Sequence, residues 1–410
     1  MSSSPYSLRS LPIRVLLLEN VHASADEAFA GGSYQVERHT KALKEDELVK
    51  AVAGVHLLGI RSKTQVSERV LEAGKDLLAV GCFCIGTNQV ELTAANKRGV
   101  PVFNAPFSNT RSVAELIIGE LVALARQLTD RSQEVHKGVW RKVASSCYEL
   151  RGKTLGVVGY GHIGQQLGVL AEMMGMRVAF YDHKPKLPMG NNRPTASLSE
   201  LLSTSDFVSL HVPETPETKD MIGATELAKM KKGSYLLNAS RGSVVVIPAL
   251  AAALKIGHLA GAAVDVYPTE PETNSDGFLS ELQNLPNVIL TPHVGGSTEE
   301  AQEAIGREVS RTLTRFASTG ATTGAVNFPQ VDLPPYKQRN RILNVHRNVP
   351  GVLRDVSRIV SDLHANIESQ VLSTDPEIGY LIMDLNQDVS AQVSEAMAAL
   401  PTSIKTRVLY

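Results

Sequence analysis

The stretch 154-TLGVVGYGHIGQQLGVLAEMMGMRVAFYD-182 decides how this chain is read. A short apolar run enters a Gly-x-Gly-x-x-Gly cluster, an amphipathic stretch follows, and a second apolar run stops at an acid. That order predicts strand, tight turn, helix and strand, the opening of a dinucleotide-binding unit. Gly159 permits the turn after the strand, Gly161 lets backbone N–H groups approach a pyrophosphate, and Gly164 lets the helix pack close to the strand. The phosphates then lie at a helix N-terminus, where free N–H donors and the helix dipole favour negative charge. Asp182 accepts from a ribose hydroxyl and repels a 2′-phosphate, which favours NAD over NADP. His183 and Lys184, directly after it, soften that exclusion.

The same rhythm continues on both sides. Candidate strands follow at 207-FVSLHV, 235-YLLNAS, 260-AGAAVDV and 288-VILTPH, giving a doubly wound unit from Lys153 to Val294. Upstream, the apolar runs Val15–Leu18, Val55–Ile60 and Leu77–Val80 alternate with helix-like stretches, which predicts a first parallel sheet covered by helices. Residues 112–136 carry apolar positions at helical spacing, with Glu120 among them, and predict one long connecting helix. A second amphipathic helix is expected over 298–317. After it, 318-STGATTGAVNFPQVDLPPYKQ reads as a linker by composition. The last 70 or so residues then change order: strand 341–347, helix 351–365, strands 367–373 and 379–385, helix 389–399 and strand 403–410 give βαββαβ, the ferredoxin-like arrangement.

Three further stretches place polar residues where strands of the larger sheet should end: 238-NASRGS, 264-VDVYPTEP and 291-TPHVGGST. Ligands of open α/β sheets bind outside the carboxyl ends of the strands, so Arg241, Glu270 and His293 are expected to converge on one cleft. Singly, each has an ordinary reading as a loop arginine, a turn acid or a histidine ahead of a helix. Beside a nicotinamide they define a reaction. His293 is a base for a secondary alcohol, Glu270 orients the imidazole and favours its protonated form, and Arg241 grips a carboxylate and polarises the forming carbonyl.

These motifs, with the terminal βαββαβ unit, resemble the D-specific 2-hydroxyacid dehydrogenases over nearly the whole chain. The resemblance implies a Rossmann-type NAD-binding domain (109–299) inserted in a flavodoxin-like substrate domain (1–108 and 300–332), followed by a ferredoxin-like ACT regulatory domain (338–410). It maps the family's Arg, Glu and His onto Arg241, Glu270 and His293, and extends the cofactor-binding set to His162, Ile163 and Asp265. Arg61 and Ser62, in 59-GIRSKT between a strand and a helix-like segment, stand where a guanidinium, a hydroxyl and backbone N–H groups can meet an anion. They match the family's phosphate-binding Arg-Ser, and Asn109 matches a substrate-contacting Asn. In the terminal unit, 345-VHRNVPGV and Asn366 match an amino-acid site, so His346, Asn348 and Asn366 are the expected contacts of serine as effector. Two positions depart from that pattern, Arg347 and Val349, where the family carries an acid and a base. The implied activity is NAD-dependent oxidation of D-3-phosphoglycerate at the head of serine biosynthesis, in a cytoplasmic homotetramer. Another D-2-hydroxy acid as substrate, or an NAD-sensing binding protein, are the alternatives.

Composition fits. With 410 residues, 43% hydrophobic and 20% charged, and a formal charge of −1, the chain is long enough for several cores. It has no signature of disorder or of a nucleic-acid or membrane partner. Small molecules and other copies of itself are the expected partners. The start MSSSPYSLRSLPIRVLLLEN reads as a lead-in to a first strand rather than a signal peptide. Cys82, Cys84 and Cys147 are odd in number and lack zinc-site spacing, which predicts no metal and a reducing compartment; Cys82 and Cys84 read as small apolar residues rather than a redox pair. Trp140, the single tryptophan, has two readings: packing on a neighbouring subunit, as the resemblance implies, or burial in its own.

Overall fold

The computed structural model describes residues 6–7, 12–31, 33–271, 276–334, 340–386 and 389–409. The chain divides into two compact units, Asn109–Ala301 on one hand and Met1–Ser108 with Gln302–Tyr410 on the other.

The Asn109–Ala301 unit is a seven-stranded, all-parallel sheet. Its strands run in the order Val288–Leu290, Leu259–Val264, Ser234–Asn238, Phe207–Leu210, Thr154–Val158, Arg177–Tyr181, Arg193–Pro194. Chain order reverses between Phe207–Leu210 and Thr154–Val158, the switch point at which doubly wound sheets open a crevice. The central strands are apolar because helices cover both faces, so Phe207–Leu210 and Ser234–Asn238 are buried at every position. The expected long helix is two, Thr110–Arg126 and Leu128–His136, broken at Gln127 in a left-handed conformation (φ 50°). The break is stabilised from outside the helix: Asn287 Nδ2 donates to the Leu124 carbonyl at 3.2 Å and the Asn287 amide to Asp130 at 2.8 Å.

The other unit holds two sheets. The first is parallel, in the order Tyr34–Arg38, Ile13–Leu17, Leu57–Ile60, Ala79–Cys82, Val102–Phe103. This is the flavodoxin-like order 2-1-3-4-5. The helix Glu299–Thr319 packs on it, with Val309 and Leu313 against Gly81, where a Cβ would come within 2.7 Å of Val309. The second sheet is formed by Arg341–Arg347, Ile367–Thr374, Ile378–Leu385 and Ser403–Leu409, paired antiparallel in the ferredoxin-like order 4-1-3-2. The helices Val352–Asp362 and Ser390–Ala398 belong to it. Tyr6–Ser7 adds a short parallel edge to Ser403–Leu409.

The segment read as a linker behaves otherwise. Its side chains Ala321, Thr322, Ala325, Phe328 and Val331 are buried, and Thr322 is hydrogen-bonded to Pro329 O at 2.7 Å and to the Val331 amide at 2.9 Å. Small and turn-forming residues are required here by close packing, not by freedom. Residues 335–338, the end of that segment, lie outside the described residues.

Candidate active site

The glycine turn stands at the carboxyl end of the strand beside the switch point. Gly159 has φ +90°, and a Cβ there would lie 2.4 Å from the His211 carbonyl oxygen. At Gly164 a Cβ would lie 2.3 Å from Gly159 O, so helix and strand approach only because that side chain is missing. Gly161 differs, since a Cβ would meet nothing within 4 Å. Protein packing gives no reason for glycine there, whereas close approach of a phosphate to the backbone does. Gly161 is also the N-cap of the helix His162–Met173 and offers no side-chain cap, so an anion at this helix start can be met by first-turn N–H groups such as those of Ile163 and Gly164. Asp182 closes the turn: its carboxylate accepts from the Tyr160 amide at 2.9 Å and the Lys184 amide at 3.0 Å. Those two bonds aim the carboxylate and leave acceptor capacity for a ribose diol. The residues present thus fit NAD.

Beside this turn the ends of three neighbouring strands bring Arg241, Asp265, Glu270 and His293 together. His293 Nδ1 lies 2.9 Å from Glu270 Oε2 and 3.1 Å from Oε1. The hydrogen bond to Glu270 raises the His293 pKa above its ordinary 6.5 against the opposing pull of burial, with the charges of Glu270 and Asp265 adding to the rise and Arg241 reducing it. For Glu270, burial works upward, but the hydrogen bond and charge of His293, the Tyr267 amide and the Arg241 charge leave it below 4.5. Arg241 is half-buried and donates from Nη1 to Ser240 O at 2.7 Å. Its turn is locked by Asn238, whose Oδ1 accepts from the Ser240 amide and hydroxyl at 3.1 and 2.8 Å. Next to it, a Cβ on Gly242 would fall 1.9 Å from the Tyr267 carbonyl carbon, so the two loops meet backbone to backbone.

Asp265 is buried at 2% exposure. Its carboxylate accepts from the Thr291 hydroxyl at 2.6 Å, the Val294 amide at 2.8 Å and the Gly295 amide at 2.8 Å, while its backbone carbonyl takes the His293 amide at 2.8 Å. It therefore anchors the histidine loop. Asn109 stands against the same loop, where a Cβ on Gly296 would lie 2.2 Å from its Nδ2. Two members of this assembly were not named as site residues from sequence. Tyr267 donates its hydroxyl to Val264 O and Thr291 O at 2.9 and 3.1 Å, pegging two strand ends together. Glu120 is 5% exposed, has no hydrogen-bond partner on Oε1, and is pushed up to about 8 by burial and the charge of Asp265. An acid among the apolar positions of a helix was the signal for it.

In the other unit, Arg61 and Ser62 follow the strand Leu57–Ile60. Here the expectation about free backbone donors needs correcting. The amides of Arg61, Lys63 and Thr64 are already bound to the Glu19 carboxylate, at 3.1, 3.0 and 2.8 Å. An incoming anion is left with the side chains and the Ser62 amide. In the ferredoxin-like unit His346 is buried, its Nδ1 3.0 Å from Asn344 Oδ1. Asn348 is exposed and donates to Asp375 O at 2.7 Å, and both precede the helix Val352–Asp362. Asn366 follows the far end of that helix, with its amide on Asn386 Oδ1 at 2.9 Å. Cys82, Cys84 and Cys147 are free thiols. Trp140 is 82% exposed, so burial in its own subunit does not occur. Among the described residues no His/Cys/Asp/Glu group is arranged to hold a metal, and no helix is long and apolar enough to cross a membrane.

A glycine turn at the switch point of a parallel sheet, with an imidazole–carboxylate pair and an arginine at adjacent strand ends, defines an NAD-dependent dehydrogenase. Comparison with known proteins agrees. Residues 118–295 match the D-isomer specific 2-hydroxyacid dehydrogenase NAD-binding domain, and residues 342–405 match the ACT domain of the AHAS small subunit type. The chain is 56% identical to a D-3-phosphoglycerate dehydrogenase of Dictyostelium discoideum, with 97% of each chain covered. It is 52% identical to that of Escherichia coli K12, over 98% of this chain and 99% of the relative. Among solved structures, a D-lactate dehydrogenase of Aquifex aeolicus complexed with NAD and lactic acid superposes with a TM-score of 0.64 at 28% identity, covering 74% of this chain and 95% of that one. The chain belongs to the D-3-phosphoglycerate dehydrogenases, within the D-isomer specific 2-hydroxyacid dehydrogenase family.

Proposed function

We propose that the chain oxidises D-3-phosphoglycerate to 3-phosphohydroxypyruvate with NAD, and that the residues gathered above divide the work as follows. The observation that carries the mechanism is the 2.9 Å contact of His293 Nδ1 with Glu270. It fixes the proton on Nδ1 and leaves Nε2 to take the proton of the substrate hydroxyl. Arg241 holds the substrate carboxylate and polarises the developing carbonyl. Gly159, Gly161, His162, Ile163, Gly164 and Asp182 hold the cofactor, and Asp265 serves them by fixing the histidine loop. Bound NAD+ supplies the acceptor for the hydride leaving C2. Arg61 and Ser62 hold the phosphate, and Asn109 assists in placing the substrate. On this reading residues 109–299 bind cofactor, residues 1–108 with 300–332 bind substrate, and residues 338–410 bind effector.

Serine as effector draws support from the terminal unit. An 11-residue helix separates His346 and Asn348 from Asn366 by about 16 Å at 1.5 Å per residue. One serine cannot reach both ends within one chain, so the site is completed by Asn366 of a second copy. Trp140, with Val139 and Val143 half exposed beside it in sequence, supplies an apolar surface for another copy, in keeping with a homotetramer. Free thiols suit the cytoplasm. The test is NADH absorbance with a panel of D-2-hydroxy acids, with and without serine. D-3-phosphoglycerate should be turned over fastest and serine should suppress it. Faster turnover of an unphosphorylated acid would overturn the substrate assignment, and indifference to serine the effector assignment.

A further inference from the structure

The loop that carries Arg61 and Ser62 is clamped along both of its backbone edges. On the amide side, Glu19 is 8% exposed and its carboxylate collects Arg61 N at 3.1 Å, Lys63 N at 3.0 Å and Thr64 N at 2.8 Å. On the carbonyl side, Gln89, 3% exposed, donates from Nε2 to Arg61 O at 2.7 Å. Glu19 adopts φ 63° and Asn20 φ 53°, a left-handed pair without glycine, which persists only where the surroundings over-determine it. A strand that merely ended here would need neither the acid nor that backbone. The clamp also has an electrostatic cost, since a carboxylate beneath an anion-binding loop repels the anion it serves. Its presence is accounted for by what it fixes.

We propose that Glu19, with Gln89, is a positioning residue that sets the phosphate specificity of this enzyme by holding Arg61 and Ser62 in the geometry a phosphate requires. It acts through the loop and does not touch substrate. Three amides bound to one carboxylate leave the Ser62 amide outside the clamp, with the exposed Ser62 hydroxyl and the half-buried Arg61 guanidinium beside it in sequence to grip a tetrahedral dianion. The proposal rests on the reading that Arg61 and Ser62 bind the phosphate.

The experiment compares D-3-phosphoglycerate with D-glycerate, which lacks the phosphate, in the full-length wild-type enzyme and in Glu19→Gln, Gln89→Leu and Arg61→Ala. Loss of charge-assisted hydrogen bonds of this kind costs about tenfold or more in affinity. Glu19→Gln should therefore raise KM for D-3-phosphoglycerate about tenfold while kcat and the D-glycerate kinetics stay near wild type, with a smaller change of the same kind in Gln89→Leu. A merely structural role would instead lower active-enzyme yield and kcat for both substrates alike, and that result overturns the proposal. So does an unchanged phosphate preference in Gln89→Leu should Glu19→Gln fail to fold. Arg61→Ala separates the two levels. If it leaves the phosphate preference intact, the phosphate assignment itself has failed; if it abolishes the preference while Glu19→Gln leaves it intact, only the positioning role has.

Discussion

The loop 61–64 of the flavodoxin-like sheet and the loop 291–296 of the cofactor sheet follow the same plan. Each leaves a parallel strand, and each is pinned by a carboxylate at the end of the neighbouring strand: Glu19 beside Leu57–Ile60, Asp265 beside Val288–Leu290. Each carboxylate collects three donors, three amides for Glu19, two amides and a hydroxyl for Asp265. They differ in where the unusual backbone sits. In the first loop the anchor itself is left-handed, Glu19 at φ 63°, whereas in the second it is the residue proposed as the base, His293 at φ 55°. Such a conformation costs on the order of 1 kcal/mol or more outside glycine. A loop that presents a fixed charge can leave that cost at its root. A loop that must aim one ring nitrogen places the cost on the ring-bearing residue and holds it twice, by its amide on Asp265 O at 2.8 Å and by Nδ1 on Glu270 at 2.9 Å.

The largest effect should come from the aimed residue. His293→Ala is expected to lower kcat by at least ~10², because general-base assistance typically contributes that much or more, and to leave NADH binding intact by fluorescence titration. Near-normal turnover would mean that the left-handed backbone at 293 serves something other than proton transfer. Next is the anchor. Asp265→Asn keeps one acceptor oxygen but loses the charge that draws the Thr291 hydroxyl and the amides of Val294 and Gly295. Losing charge-assisted bonds of ~1.5–3 kcal/mol should lower kcat about tenfold or more. Since the two anchors support different tasks, Asp265→Asn should act mainly on kcat and Glu19→Gln mainly on KM. Identical signatures in both variants would break the comparison.

A third variant tests the side-chain hold on the histidine. Glu270 raises the His293 pKa above 6.5, and the proposed role of His293 as base requires it neutral for oxidation. The oxidation rate should therefore climb with pH through that raised value, and the reverse reaction, which needs the imidazolium, should fall through it. Glu270→Gln removes both the charge and the charged acceptor, so both limbs should move to lower pH. Limbs that stay in place would assign them to another group.

Much of this arrangement was legible in the sequence because it rests on local rules. The glycine turn, the strand ends carrying Arg241, Glu270 and His293, and the βαββαβ order each follow from periodicity or turn chemistry within a short window. What could not be read depends on partners far apart in the chain. Glu19 meets the loop at 61–64 only through strand pairing, so free amides were expected where none but that of Ser62 is left. Asp265 was expected as a cofactor contact through the resemblance, and its bonds to Thr291, Val294 and Gly295, which also tie it to the histidine loop, join residues about 30 apart in the chain that no local pattern connects. The break at Gln127 is stabilised by Asn287, and the Gly- and Thr-rich stretch after 318 packs into a core that composition cannot reveal.

The smallest effect concerns the feature that sets the second anchor apart, the carboxyl of Glu120 beside Asp265. Glu120 has a folded-state pKa raised from 4.5 to about 8 by burial and then by the charge of Asp265. Between those values the unfolded chain has released this proton while the native protein still holds it, so stability falls as pH rises from about 4.5 to about 8 and levels off above. Glutamine has the shape of the protonated acid and cannot ionise. Glu120→Gln should therefore match wild type near pH 5 and lose less of its Tm on going to pH 8.5, with kcat at neutral pH little changed. Thermal unfolding of the two proteins across that range is the measurement. Equal losses would mean that Glu120 is not held neutral beside Asp265.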